Sequence, residues 1–205
     1  MDLLAWPSGS PHGESEGAEP APCGLTSRRP LEELSTAHEH AGTTPFDDRD
    51  LRNALGTFAT GVAIITTRDA NGTLFGLTGN SFSSVSLDPP LVLWSLARTA
   101  PSMTAFRAAT HFGVSVLGSE HRDLAVKFAR SGRDKFAGVP YRLGEYGVPL
   151  LDGAVAHFEC RIVDRYYGGD HEIYLGHVER YWYEHKPSLV FWRGGYHLAQ
   201  PLDET

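Results

Sequence analysis

The constraint on the fold is sharpest at residues 76–93, Gly76-Leu77-Thr78-Gly79-Asn80-Ser81-Phe82-Ser83-Ser84-Val85-Ser86-Leu87-Asp88-Pro89-Pro90-Leu91-Val92-Leu93. Five hydroxyl residues and one carboxamide are bracketed there by apolar, strand-like runs. A solvated loop would not be enclosed so closely by Val, Leu and Phe. A core strand would not give so many positions to Thr and Ser. The stretch therefore reads as sheet whose polar positions face something that takes hydrogen bonds. Pro89-Pro90 breaks the chain before the next strand, Leu91 to Leu96.

The remainder from Pro45 extends that β reading. Asp47 is placed to cap a helix with Asp50 in its first turn, Leu51, Leu55 and Phe58 at helical spacing, and Gly61 as its end. Val62 to Thr67 reads as a buried strand. Asp69-Ala70-Asn71-Gly72 is a turn, so Leu74 to Asn80 should pair back as a hairpin. A short helix is expected from about Pro101 to Ala108, with Met103 and Phe106 inward. His111 to Leu117 reads as a strand, and Glu120 to Ala129 as a second helix with Leu124 and Phe128 inward. Residues 130–153 are rich in Gly and Pro and read as loop. Strands at Val155 to Tyr166, Glu172 to Tyr183 and Ser188 to Trp192 follow, the first two joined by Gly168-Gly169-Asp170. No βαβ rhythm appears, so the class is mainly β with short helices, its strands closing into a barrel to avoid exposed edges.

Residues 1–44 differ in composition, with five Pro, five Gly and five Ser among scattered acids. Such a segment buries too little apolar surface to offset its ordering entropy, so it reads as a disordered or loosely docked extension. Residues 45–200 form the expected domain, and 201–205 a short tail. The extension carries seven acids and two bases, which leaves −2 of the chain's net −7 to the rest. A nearly neutral domain lacks the basic stripe of a nucleic-acid binder. The two cysteines, Cys23 and Cys160, suggest neither a disulfide framework nor a metal knuckle, and a reducing cytoplasm is the expected compartment. Neither a membrane-length apolar run nor a secretory leader is read in the sequence.

The common cofactor and catalytic motifs are missing: no Gly-x-Gly-x-x-Gly after a strand, no Gly-x-x-x-x-Gly-Lys, no zinc spacing and no serine-hydrolase elbow. A nicotinamide nucleotide, if used, is held without the usual dinucleotide fold. Other motifs carry a positive signal in their order and spacing. These are Ala59-Thr60-Gly61-Val62-Ala63-Ile64-Ile65-Thr66-Thr67, the pattern Thr-x-Asn-Ser-Phe-x-Ser-Val-Ser-Leu-x-Pro-Pro-Leu-Val at 78–92, Asp134-Lys135-Phe136-Ala137-Gly138, Gly169-Asp170-His171, and Gly194-Gly195-Tyr196. With them, residues 46–198 resemble the flavin reductase-like family, the short-chain reductases that feed reduced flavin to two-component monooxygenases. The resemblance implies a split β-barrel, a homodimer, FMN or FAD bound by the barrel, NADH or NADPH as hydride donor, and a monooxygenase partner.

Thr78, Asn80 and Ser81 can supply hydroxyl, carboxamide and main-chain groups to the edge of a flavin ring, where reduction places negative charge. As plain structure, they would be exposed strand positions or turn caps. Ser86 joins them by resemblance, while Asp88 and the two prolines read as turn architecture. Arg98 and Ser102 lie at a strand-to-helix junction suited to a phosphate, and the resemblance makes this the flavin phosphate and ribityl site. Phe128, with Lys127 or Lys135, falls where the family makes further flavin contacts, and Phe128 reads equally well as core. His171 is the single catalytic candidate. The resemblance places Asp170 and His171 on the nicotinamide side, with His171 binding first and supplying protons second. Asp170 can instead satisfy its turn, and Tyr196 either covers the flavin edge or finishes a strand. Two rival readings use the same barrel: a non-catalytic flavin-binding or flavin-sensing domain, and a flavin-dependent oxidase. A terminal oxygenase or ferric reductase would be a further use of it.

Overall fold

A computed structural model describes residues 47–132 and 134–201. The first helix, α1 (Asp48–Leu55), is capped as expected: the Asp47 carboxylate accepts from the Asp50 N–H at 2.8 Å. It stops earlier than the expected Gly61: after the Gly56 N–H bonds the Arg52 carbonyl at 2.9 Å, the Thr57 and Phe58 N–H groups turn to the i−3 carbonyls of Ala54 and Leu55, both at 3.1 Å. No residue of α1 is buried, and Leu51, Leu55 and the nearby Phe58 stay exposed. Helical spacing at these positions therefore does not mark the core of this chain.

Seven antiparallel strands make the main sheet. They are β2 (Ala63–Arg68), β3 (Leu74–Gly79), β4 (Ser83–Leu87), β5 (Pro90–Ala97), β6 (His111–Val116), β9 (Ala156–Gly168) and β10 (His171–Tyr183), in the order β3-β2-β6-β9-β10-β5-β4. The expected hairpin forms: β2 pairs β3 through a turn where the Asp69 carboxylate accepts from Asn71 and Thr73, and Gly72 takes φ +85°. Ser83–Leu87, within the stretch read as sheet, is a strand paired with β5.

The order has a geometric consequence. The two edge strands, β3 and β4, are joined by residues 80–82 alone. Four Cα–Cα steps of about 3.8 Å reach roughly 15 Å, whereas six strand spacings of about 4.8 Å in a flat sheet separate the edges by roughly 29 Å. The sheet must therefore roll up until its edges approach. They do not pair, so the roll stays split along one seam rather than closing, as full removal of edges would require. Bulges at Leu175/Gly176, Val178/Arg180 and Ser84/Ser86 add local bending.

β2 explains why its sequence is apolar without alternation. Ala63 and Ile65 enter one core with Trp94, Phe106, Phe112, Val114 and Tyr174. Val62 and Ile64 enter a second with Leu117, Ala125, Phe128, Leu151 and Leu189. A strand covered on both faces has no polar side to show. Helix α2 (Met103–Ala108) closes over the first core through Met103 and Phe106, starting two residues after Pro101. Helix α3 (Arg122–Ala129), entered through a 3₁₀ turn at Ser119–His121, covers the second through Ala125 and Phe128.

Two small sheets complete the fold. β1 (Thr60–Gly61), β11 (Leu189–Trp192) and β12 (Gly195–Leu198) align in the order β1-β11-β12. The segment read as loop contains a hairpin of β7 (Tyr141–Leu143) and β8 (Pro149–Leu151), whose turn Gly147 makes possible at φ +72°.

Candidate functional site

The tight connection expected at residues 168–170 is a two-residue hairpin turn: Gly168 pairs with His171, and Gly169 takes φ +74°. His171 opens β10 and lies in register with Ala97 at the end of β5. The next residue, Arg98, donates its backbone N–H to the Asp170 carbonyl at 2.9 Å. Long-range pairing thus joins Arg98, Asp170 and His171 at one rim. His171 Nδ1 lies 2.7 Å from the Asp170 carboxylate. That hydrogen bond, followed by the charge interaction, holds the Asp170 carboxyl below its ordinary range.

Beside them is a cavity of about 140 Å³ whose walls include Arg98, Arg107, Arg165, Tyr167, His171 and Glu172. Four of these were missed in the sequence: Arg107 from the last turn of α2, Arg165 and Tyr167 from β9, and Glu172 from β10. No local motif marks them, because three separated segments supply them. Glu172 accepts from Arg107 Nε at 3.0 Å and from its terminal nitrogen at 2.8 Å. This pairing lowers the Glu172 carboxyl against the opposing effect of burial, and raises the Arg107 guanidinium. Arg98 is exposed, makes no ion pair among the described residues, and sits 5.6 Å from the Tyr167 ring centre.

A second group of predicted residues gathers around α3. The Thr78 hydroxyl donates to the Ala125 carbonyl at 2.6 Å. Lys135 Nζ donates to the Gly76 carbonyl at 3.1 Å and the Phe128 carbonyl at 2.9 Å, and burial lowers its ammonium pKa. Phe128 is fully buried, edge-on to Phe136, in the second core. Tyr196 packs on that core from β12, edge-on to Phe191 and under the Arg122 guanidinium.

The residues between these groups divide by their bonding. Ser81 accepts from the Ser95 N–H at 2.9 Å and lies 3.3 Å from the Ser95 carbonyl, which ties the 80–82 crossing to β5. The Ser86 hydroxyl donates to the Asp88 carbonyl at 3.1 Å, within the turn before β5. Ser102 caps α2 without a side-chain hydrogen bond. Asn80 is exposed, and its carboxamide bonds to no other described residue. The hydroxyl protons of Thr78 and Ser86 are thus used within the protein. Among these polar candidates, Asn80, Ser102 and the Arg98 guanidinium keep hydrogen-bonding capacity outward. That donor set fits a flavin: a carboxamide able to donate and accept for the ring edge, and a free cation for a phosphate.

Other chemistries find little support. Among the described residues no three His, Cys, Asp or Glu side chains gather as metal ligands. Cys160 is buried, which pushes its thiol pKa up and leaves it unreactive. Cys23 lies outside the described residues. No described helix is long and apolar enough to cross a membrane.

Residues 55–200 match the family described as "Flavin reductase like domain". A "Probable flavin reductase" of Rhizobium meliloti is 43% identical over 151 residues, covering 74% of this chain and 49% of its own length. The chain thus spans about half of that relative. The "FMN reductase (NADH) SmoA" of Agrobacterium fabrum is 40% identical over 167 residues, covering 81% of this chain and 95% of its own. Among solved structures, the Streptomyces globisporus NADH:FAD oxidoreductase SgcE6, in complex with NAD and FAD fragments, superposes with a TM-score of 0.74 at 38% identity. That likeness covers 80% of this chain and all of the other. The open, rolled sheet is thus the split barrel that the motifs implied, and the chain belongs to the flavin reductase-like family.

Proposed function

We propose that the chain is an NAD(P)H:flavin oxidoreductase that passes a hydride from a nicotinamide to FMN or FAD and supplies reduced flavin to a partner monooxygenase. The observation that carries this reading is the shared rim. Arg98, assigned to a flavin phosphate, and Asp170 and His171, assigned to the nicotinamide side, are joined by β5–β10 pairing, and Arg98 and His171 share the wall of one cavity. Relatives named as FMN reductase (NADH) and as NADH-dependent flavin reductase support the reaction and favour NADH. Reductase components of flavin-dependent monooxygenases among the relatives support the partner.

The hydride chemistry belongs to the bound flavin and nicotinamide. The chain's residues have three tasks. Arg98 and Ser102 hold the flavin phosphate, and Asn80 meets the ring edge. Main-chain groups near Thr78 and Ser81 act beside it, since those two side chains brace the barrel. His171, oriented by Asp170, contacts the nucleotide and is the group placed to move a proton. Ser86, Phe128, Lys135 and Tyr196 contribute by shaping the walls around that site. Residues 45–200 form the working domain, active as a homodimer in the cytoplasm. The extension 1–44 and the tail 201–205 lie outside it, and deleting 1–44 is expected to leave the kinetics unchanged.

Steady-state kinetics with FMN, FAD, NADH and NADPH in all pairings test the reading. His171→Ala should raise the KM for the nucleotide or lower kcat by roughly 10-fold, about 1.4 kcal/mol of transition-state stabilisation. Unchanged KM and kcat would remove His171 from the site. Tight flavin binding without nucleotide oxidation would leave a flavin-binding domain instead.

A further inference from the structure

Helix α2 is held from the β9–β10 hairpin rather than by a cap at its start. It spans six residues, too few to stand alone in water. Ser102, which precedes it, makes no side-chain cap hydrogen bond. Its last turn, in contrast, is gripped twice. The Arg165 terminal nitrogen, from β9, donates to the Phe106 carbonyl at 3.3 Å and the Ala109 carbonyl at 2.8 Å. Carbonyls at a helix C-terminus lack partners within the helix, and an arginine can supply them. Glu172, from β10, takes both contacts of the Arg107 guanidinium on one oxygen. Its other oxygen is buried and has no hydrogen-bond partner among the described residues. An anion brought against that oxygen would be repelled, so the pair acts on the helix and not on a phosphate. Tyr174, also from β10, adds a third tie. Its hydroxyl donates to the sulfur of Met103, the first residue of α2, at 3.7 Å, and the Arg165 guanidinium lies 5.4 Å from its ring centre.

The same hairpin carries Asp170 and His171 at its turn, and the Asp170 carbonyl receives the Arg98 N–H at 2.9 Å. One hairpin thus fastens both ends of the segment from Arg98 to Arg107. Ser102 lies between them. Two successive turns link it to β5, the Ala100 N–H reaching the Ala97 carbonyl and the Met103 N–H the Ala100 carbonyl. We propose that Arg165 and Glu172 are positioning residues, which hold the last turn of α2 against the hairpin and so fix Ser102 and Arg98 where they meet a flavin phosphate. The proposal deepens the reductase reading and rests on it for the assignment of Ser102 and Arg98 to that phosphate, though not on turnover. A helix this short moves as one piece, so a shift of its last turn carries Ser102 with it. Misplacement by about 1 Å is enough to spoil a contact that depends on aligned hydrogen bonds. An ion pair that is partly desolvated adds little net stability, and what it fixes in this fold is orientation.

Fluorescence titration of the full chain with FMN, and with riboflavin, which lacks the phosphate, reads the placement of Ser102 and Arg98 without turnover. The unaltered protein should bind FMN more tightly than riboflavin. Glu172→Gln keeps the size of the side chain and removes the charge that orients Arg107. Arg165→Met removes the donors to the Phe106 and Ala109 carbonyls. Each variant is expected to bind FMN about 10-fold more weakly, the loss of roughly one charge-assisted hydrogen bond, and riboflavin as before. A general loosening of the fold would weaken both flavins alike, so equal losses overturn the proposal, as does an unchanged FMN affinity. Tighter FMN binding in Glu172→Gln would mean that the released Arg107 touches the phosphate itself, which also overturns it. Equal affinity of the unaltered protein for FMN and riboflavin leaves no phosphate contact to position, with the same consequence. If Arg165→Met loses its native circular dichroism, Glu172→Gln decides alone. If the unaltered protein oxidises neither NADH nor NADPH with any flavin, the reductase reading fails, and the titrations still decide the positioning.

Discussion

Gly76 shows how much one residue can depend on distant packing. A Cβ there would lie 2.7 and 2.9 Å from atoms of the Phe128 ring and 3.2 Å from Phe136. Both rings are held in the second core and cannot easily retreat. Gly76→Ala is expected to cost about 1–3 kcal/mol by overpacking, read as a lowered urea midpoint. An unchanged midpoint would show that α3 moves freely. Glu172 carries a pH dependence of defined sign. Its folded pKa lies below the ordinary 4.5, chiefly through the hydrogen bond from Arg107. The folded state therefore releases this proton more readily than the unfolded chain. Stability from the pair is present above the unfolded value and is lost as pH falls through the lowered folded value. Urea midpoints followed from roughly pH 5 to pH 3 should drop less steeply in Arg107→Gln than in the unaltered protein, and parallel profiles would refute the linkage. Little of this was legible from local sequence. Thr78 was recognised as polar and enclosed, but its partner, the Ala125 carbonyl, lies 47 residues away.

At the scale of elements, the crossing at residues 80–82 governs the barrel. It must carry the chain between the two sheet edges, and Ser81 fastens it to the backbone of Ser95. Ser81→Ala leaves that N–H without its partner and should cost about 1 kcal/mol in chemical denaturation. A shift below a few tenths would mean that water replaces the hydroxyl. The long strands and the turns were readable because their signals are local: apolar runs for β2, β9 and β10, and glycine at positive φ for the 168–171 hairpin. β4 was harder to read, since its burial pattern is almost wholly exposed and only pairing with β5 makes it a strand. The β7–β8 hairpin hid among glycines and prolines for the same reason. In α1 the apolar spacing was real, but no residue of the face it defines is buried within the described chain.

At the scale of the molecule, unburied apolar surface among the described residues is the outstanding feature. Leu55, Phe58, Leu87, Tyr167 and Tyr181 are each at least 66% exposed. Side chains of this size left open on both a helix and a sheet are the kind that association covers. Sedimentation equilibrium is expected to give about twice the chain mass of 22.4 kDa. A mass of one chain would remove the homodimer.

By itself the sequence determined the long strands, the two short core helices, the hairpin at Gly169, and the family to which their order belongs. Those properties depend on periodicity, turn chemistry and motif spacing, all carried within a few residues. Only the tertiary structure decided which polar groups remain available to a ligand. It committed the Thr78, Ser81 and Ser86 side chains to the protein's own backbone, and it brought Arg107, Arg165 and Glu172 beside Arg98 and His171. The physical reason is that a hydrogen bond or ion pair depends on distance in space, and the rolling of the sheet sets those distances between residues far apart in the chain.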